Sequence, residues 1–381
     1  MSDVLDRVTI HTVRVPARQG AVNSPERDRP LHKMSDGIHE AWSQQFDAVH
    51  KCILVGTTRD GLIAYGESLR GVDPSLLATL AQRFVGQPLD AIDWRRLPLP
   101  ASRAYDAFEL LVLDLLGKAW SVPVHRVLGG AVRDRVWVSA WSGHRTPADA
   151  AHVAARAAEL GYNVLKLKCD AEDDAPGIAS AVRDAAGDAF RLIFDPNERW
   201  IDRRTALPIL RELERVGNVL FVEDPLPRWD LAAIGQLRRQ VDVPLALHVA
   251  LGYAEHGQRK QDLMSSFVHS ASDAYNLSGC TSDVLAMATT AEIQGLPYWR
   301  GSEVDLGVME AGYVHSLAAS PGAVLPSDVF GRQIREHDLL SEPLRFEAGH
   351  MLVPTGPGLG VEVDLEALDN YSIAEPLEVA S

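Results

Sequence analysis

Two lysines separated by a single residue, Lys166 and Lys168, close the apolar run Val164-Leu165-Lys166-Leu167-Lys168. Side chains alternate between the faces of a β-strand, so both ammonium groups would point into one site. Such a pairing of like charges is electrostatically costly and therefore informative. Three further apolar runs also end in polar groups: Leu192 to Phe194 at Asp195, Val219 to Val222 at Glu223, and Pro244 to Leu247 at His248. These ends recur about every 25–28 residues, close to the size of one strand-plus-helix unit.

Asp195 and Glu223 are hard oxygen donors on successive strands, the ligand type that Mg²⁺ favours. A metal held there would stabilise charge developing on a carboxylate as it becomes an enolate. Lysine serves as a base only when its pKa falls toward neutrality, and a neighbouring ammonium and a dication both push it that way. In this reading Lys168 abstracts the proton α to a carboxylate, while Lys166 tunes it and helps hold the anion. The plainer alternatives are acids that cap strands or pair with arginine, and two solvated lysines. The second fits poorly with a run that is otherwise Val, Leu and Leu.

The elements that must position these groups can be read from periodicity. Residues 1–70 alternate in strand fashion (Val8 to Val15, Ala48 to Thr58, Leu62 to Glu67) around a charged insert from Gly20 to Glu40, which predicts an antiparallel sheet with one long loop. Ser75 to Phe84 and Tyr105 to Trp120 carry helical spacing. From Val136 onward, short buried strands alternate with the amphipathic segments Pro147–Leu160, Ala175–Ala186, Thr205–Val216 and Asp230–Arg238, the βαβα signature of a parallel sheet. Strands are expected near 136–141, 164–169, 190–195, 218–223, 244–248, 273–277 and 297–301, with a weakly marked eighth near Val324 and Leu325. Polar groups ending several successive strands favour a (β/α)₈ barrel over an open sheet, whose site would sit at one switch point.

A length of 381 residues accommodates a barrel of about 250 residues plus a smaller domain. Domains are expected at residues 1–130, an N-terminal α+β cap, at 131–343, the barrel, and at 344–381, a strand-like C-terminal segment returning to the cap. The formal charge of −15 disfavours nucleic acid or an anionic membrane as a partner. Cys52, Cys169 and Cys280 are odd in number and widely spaced, which suggests buried free thiols rather than disulfides or a zinc knot. With neither a signal-like start nor a long apolar stretch, a soluble cytoplasmic protein is expected.

These motifs together resemble the enolase superfamily, in its mandelate racemase and muconate lactonizing branch, over nearly the whole chain. The resemblance is carried by Gly61-Leu-Ile-Ala-Tyr-Gly-Glu67, Phe108 to Gly130, Lys166-Leu-Lys168, Asp195-Pro-Asn197, Glu223-Asp-Pro225 and Gly356-Pro-Gly-Leu-Gly-Val-Glu-Val-Asp364. It implies a modified (β/α)₈ TIM barrel capped by an α+β domain built from both termini, an essential Mg²⁺, and proton abstraction beside the carboxylate of a small molecule. It further implies cap loops that close over the substrate, placing His32, with Lys33 and His39, among candidate substrate contacts. The family's frequent symmetric assemblies imply a homo-oligomer.

Two positions break the family pattern. His248 stands where a third carboxylate ligand is usual, which shifts metal preference from Mg²⁺ toward Mn²⁺ or another divalent ion, with a barrel-mouth contact to substrate as the alternative. Ser278 stands where muconate-type relatives carry a second lysine, and Arg300 lies in the strand where racemase-type relatives place a histidine. Ser278 shows no evident base beside it in the sequence, so a symmetric two-base racemase is disfavoured. Glu303 and Asp305 resemble the acid that follows the seventh strand and are candidate catalytic groups, with ion pairing as the alternative. Asp273 reads as structural. The expected metal ligands are Asp195, Glu223 and His248, and the expected substrate contacts are Asn197, Arg300, Ser278 and His32. The expected reaction is dehydration of a hydroxy acid or acid sugar by a lyase. A cycloisomerase, an epimerase and a catalytically silent binding homologue are the alternatives.

Overall fold

The computed structural model describes residues 3–27, 49–100, 102–249 and 256–381. An antiparallel sheet forms from β1 (Leu5–Val13), β2 (Lys51–Thr58), β3 (Ile63–Glu67) and the last strand, β14 (Leu377–Ala380), in the order β14-β1-β2-β3. The turn between β2 and β3 uses Gly61 at φ +88°, a conformation that a side chain would strain. Gly66 meets a different demand, because a Cβ there would lie 2.2 Å from the Ala107 carbonyl oxygen. The buried helix Tyr105–Ala119 therefore packs directly on β3, which accounts for both glycines of the Gly61-to-Glu67 motif.

After β4 (Arg135–Trp137), seven parallel strands follow: β5 (Ala140–Ser142), β6 (Val164–Lys168), β7 (Arg191–Asp195), β8 (Val219–Glu223), β9 (Leu245–Val249), β10 (Ala274–Leu277) and β11 (Tyr298–Trp299). They lie side by side in sequence order. Helices alternate with them as expected, and the starts of Pro147–Glu159, Ala175–Ala186, Arg203–Val216 and Leu231–Arg238 are fixed by Thr146, Asp174, Asp202 and Asp230. Each of these side chains accepts a hydrogen bond from an otherwise orphaned first-turn amide.

The sheet curls until residues 325–328 bridge its two edges. On one side Leu325 N donates to Tyr298 O (3.4 Å) and Asp328 N to Arg300 O (2.9 Å); on the other, Ser327 N donates to Trp137 O (2.9 Å) and Ser139 N to Ser327 O (3.2 Å). The eighth stave thus runs a few residues beyond the expected Val324–Leu325. The expected first strand also divides, since β4 pairs antiparallel with β13 (His350–Leu352), itself joined to β12 (Phe346–Glu347). The C-terminal segment therefore serves two sheets, because β14 (Leu377–Ala380) pairs with β1.

A histidine pair fastens this returning segment. In the helix Gly307–Ala318, His315 donates from Nε2 to Leu359 O (3.0 Å), while its Nδ1 accepts from His125 N (3.3 Å) and lies 3.1 Å from His125 Nδ1. No helix among the described residues is long and apolar enough to cross a membrane.

Candidate active site

The barrel interior is layered by the two-residue period of its strands. Val164, Ile193, Phe221, Ala246, Ala274 and Trp299 form an apolar floor, in which the Phe221 and Trp299 rings lie 4.5 Å apart. Two residues further along β6 to β10 come Lys166, Asp195, Glu223, His248 and Asn276, and beyond them Lys168 and Ser278. Register aligns these ends, with Lys168 opposite Asp195 and His248 opposite Asn276.

Lys166 Nζ lies 2.6 Å from Glu223 Oε2, 2.8 Å from Asp328 Oδ2 and 3.4 Å from Asp195 Oδ2, above the Trp299 ring at 5.9 Å. Lys168 Nζ is 2.5 Å from Asp195 Oδ2. Burial alone would disfavour charge on Lys166, but Asp328, Glu223 and Asp195 outweigh it and hold the ammonium protonated well above the ordinary lysine range. Burial likewise opposes charge on Asp195, yet Lys168 and Lys166 keep it below the usual carboxylate range. Glu223 is pushed up to about 7 by burial and by Asp195, against the pull of Lys166. The expected role of Lys166 as tuner of its neighbour takes a different form here, because its charge is balanced by three carboxylates.

His248 is fixed from several sides. Its backbone N donates to Asp224 Oδ1 (2.9 Å), and its carbonyl accepts from Arg228 Nη1 (2.6 Å). Its Nδ1 stands 3.3 Å from Glu223 Oε1, and its Nε2 is 2.7 Å from Ser278 Oγ. Burial, then Arg228 and Lys166, push its pKa well below the ordinary histidine value, so the ring is neutral and keeps a lone pair for ligation. The serine that lacked an evident base in the sequence therefore has an imidazole in hydrogen-bond contact.

The donor set fits a divalent cation. Glu223, Asp224 and His248 each present a ligand atom within 4.8 Å of the others. Among the described residues, buried Asn197 Oδ1 and Asp328 Oδ1 have no hydrogen-bond partner, and Glu223 Oε2 meets Lys166. Asp195 is absent from that tightest trio, its carboxylate being drawn to the two lysines, while Asp224 braces β9 and stands 3.5 Å from Arg228. Two carboxylates and an imidazole are compatible with Mg²⁺ or Mn²⁺.

The remaining expected residues are distributed unevenly. Asn197 is buried beside the cluster at φ +46°, and its N–H donates to Asp195 Oδ1 (3.1 Å). Arg300 is engaged within the barrel wall: it donates to Ser316 Oγ (2.9 Å) and Gly279 O (2.7 Å), and its guanidinium lies 4.0 Å from the Tyr313 ring centroid. Asp305 belongs to a separate buried network, with Lys51 at 2.5 Å and with Ser302 and Tyr313 each donating at 2.8 Å. Lys51 also contacts Glu67 at 2.6 Å, and Glu67 accepts from Leu306 N and Met309 N at the start of the helix Gly307–Ala318. Glu303 pairs with Arg103 at 2.8 Å. Both acids are thus engaged between the cap and the loop after β11. Asp273 pairs with Arg238. His32 lies outside the described residues, as do Lys33 and His39.

The sequence reading passed over three groups. Asn276 donates to Glu223 Oε1 (2.7 Å), and strand period alone could have placed it inside, two residues before Ser278. Asp224 follows Glu223 directly, and its role depends on β9 lying alongside. Asp328 ends a stave with no apolar run to mark it. Segment 20–27 meets the barrel mouth here: Gly143 N donates to Val22 O (2.8 Å), His144 N to Asn23 Oδ1 (2.7 Å), and Arg27 approaches Asp173 (3.3 Å). The His144–Asp170–Asp173 group also has ligand spacing, but Arg27 and Arg199 already neutralise its acids.

A layered barrel with this ring of polar strand ends defines a class of enzyme scaffold, and residues 148–368 match the family described as Enolase C-terminal domain-like. The chain belongs to that family and to the mandelate racemase/muconate lactonizing branch of the enolase superfamily. It is 28% identical to muconate cycloisomerase 1 of Rhodococcus opacus, covering 83% of this chain and 89% of the relative. It is 32% identical to N-succinylamino acid racemase of Thermus thermophilus (81% and 82%), and 26% identical to D-gluconate dehydratase of Thermoproteus tenax (84% and 69%). The fold is shared with N-succinyl Arg/Lys racemase of Bacillus cereus, with a TM-score of 0.80, 20% identity and full coverage of both chains. The chain is thus placed among enzymes that use a divalent metal in proton abstraction beside a carboxylate of a small molecule.

Proposed function

We propose that the protein dehydrates a small hydroxy acid of the acid-sugar type, with Lys168 acting first as base and then as acid on one face of the substrate. The Cα–H bond breaks toward Lys168 Nζ, the Cα–Cβ double bond forms, and the β-hydroxyl leaves as water with the proton that Lys168 returns. Asp195, 2.5 Å away, orients the Lys168 amine, and Lys166 keeps positive charge at the base of the site. Asp195, Glu223 and His248 would hold a divalent ion, Mg²⁺ or Mn²⁺, which supplies positive charge to the substrate carboxylate as negative charge grows on its oxygens. The observation that carries the reading is the asymmetry of the barrel: a lysine pair on β6, and just past β10 the hydroxyl of Ser278, where the family resemblance implies a second lysine. One-face chemistry is thereby favoured over two-base racemisation.

The relatives named muconate cycloisomerase support a second reading, cycloisomerisation by the same base with no water released. Both are tested by incubating purified protein with Mg²⁺ or Mn²⁺ in D₂O against sugar acids and unsaturated diacids, followed by NMR. Water loss that falls by about 10²–10⁴-fold in Lys168→Ala is expected. Deuterium incorporation or ring closure without water loss would favour the isomerase, and no exchange on any acid would defeat both.

A further inference from the structure

The two departures from the family pattern, His248 and Ser278, are in contact with each other. His248 lies on β9 and Ser278 directly follows the adjacent β10, both largely buried, with Nε2 and Oγ 2.7 Å apart. An imidazole that ligates through one nitrogen needs a partner on the other to fix its ring and tautomer. Here Nδ1 faces Glu223 and Nε2 faces Ser278. The backbone of His248 is already pinned by Asp224 and Arg228, which leaves ring rotation as the freedom to be removed.

In the sheet order β10 lies four strands from β6, which in an eight-stave barrel is the opposite wall.

We propose that Ser278 is the positioning residue for His248: its hydroxyl accepts the Nε2 hydrogen and holds Nδ1 toward Glu223 for a divalent cation. Ser278 needs no basicity for this, only an oxygen at that distance. The proposal rests on the metal-holding part of the reading above and not on the identity of the substrate.

The test is Mn²⁺ affinity by isothermal titration calorimetry and by electron paramagnetic resonance of free Mn²⁺, on wild type, Ser278→Ala, Ser278→Thr, His248→Ala and the double alanine variant. Expected are an affinity loss of about 10–100-fold for Ser278→Ala, near-wild-type affinity for Ser278→Thr, and a double variant no weaker than His248→Ala alone. If Ser278→Ala binds Mn²⁺ like wild type while His248→Ala weakens it, the serine does not position the ligand. If His248→Ala binds normally, the histidine is no ligand and the proposal falls as well. Because binding is read without turnover, the pattern stands or falls whether or not any acid is dehydrated. Circular dichroism of each variant separates loss of a ligand from loss of fold.

Discussion

Acid should loosen the joint between the barrel and the C-terminal segment through His315. This ring donates from Nε2 to Leu359 O and accepts at Nδ1 from His125 N, an arrangement that only the neutral form can make. Burial pushes its pKa down to about 4 from an ordinary value near 6.5, the Leu359 bond opposing and His125 reinforcing the change. Between those two values the unfolded chain binds a proton that the folded chain refuses, so stability is complete above pH 6.5 and falls as pH drops toward 4. At about 1.4 kcal/mol per pH unit, the loss attributable to this residue is about 3 kcal/mol. The perturbation is His315→Gln, which keeps a donor for Leu359 but cannot titrate. Urea unfolding of wild type and variant, followed by fluorescence at intervals from pH 7.5 to 4, gives the difference in stability at each pH. That difference should shift by about 3 kcal/mol in favour of the variant at the acid end, other titrating groups cancelling between the two proteins. A difference that stays flat with pH would show that His315 is protonated without penalty and would refute the reasoning.

Two other perturbations follow from buried charge. Lys51→Met leaves Glu67 and Asp305 facing each other without their cation, and should cost about 3–5 kcal/mol in thermal or urea unfolding, with Lys51→Met/Asp305→Asn recovering part of that loss. A single variant within about 1 kcal/mol of wild type would mean that the network is not held in ionised form. Installing a carboxylate and a lysine at these two places with His248→Asp/Ser278→Lys should add α-proton exchange on the second face, seen as racemised product or double deuteration by NMR. Either single change, which leaves one charge uncompensated, should bind Mn²⁺ differently from both wild type and the double variant.

The barrel was legible in the sequence because parallel strands covered on both sides are short apolar runs, and because amphipathic segments alternate with them. Lys166, Lys168, Asp195, Glu223 and His248 were legible for the same reason, each standing where such a run ends. Asp305 and Glu303 look similar locally, also following a strand. Their partners, Lys51 and Arg103, come from the cap, and no local pattern announces an ion pair across that separation. Asp328 was missed for the opposite reason: its stave contains Pro326 and carries no apolar alternation, so only closure of the sheet reveals that it reaches Lys166. The Ser278–His248 contact depends on the register of two strands, which spacing along the chain does not fix.

The stave formed by residues 325–328 meets its neighbours through four backbone hydrogen bonds, two to a side. So few bonds make it a thin seam, and local opening free energies vary across a protein with such differences in bonding. Asp328 ends this stave, and its carboxylate rests on Lys166. Whatever draws Lys166 toward a new partner loosens the seam's anchor, and whatever tightens the seam holds Lys166 in place. By reciprocity, occupancy of the barrel mouth and the breathing of its closing stave are two readings of a single equilibrium.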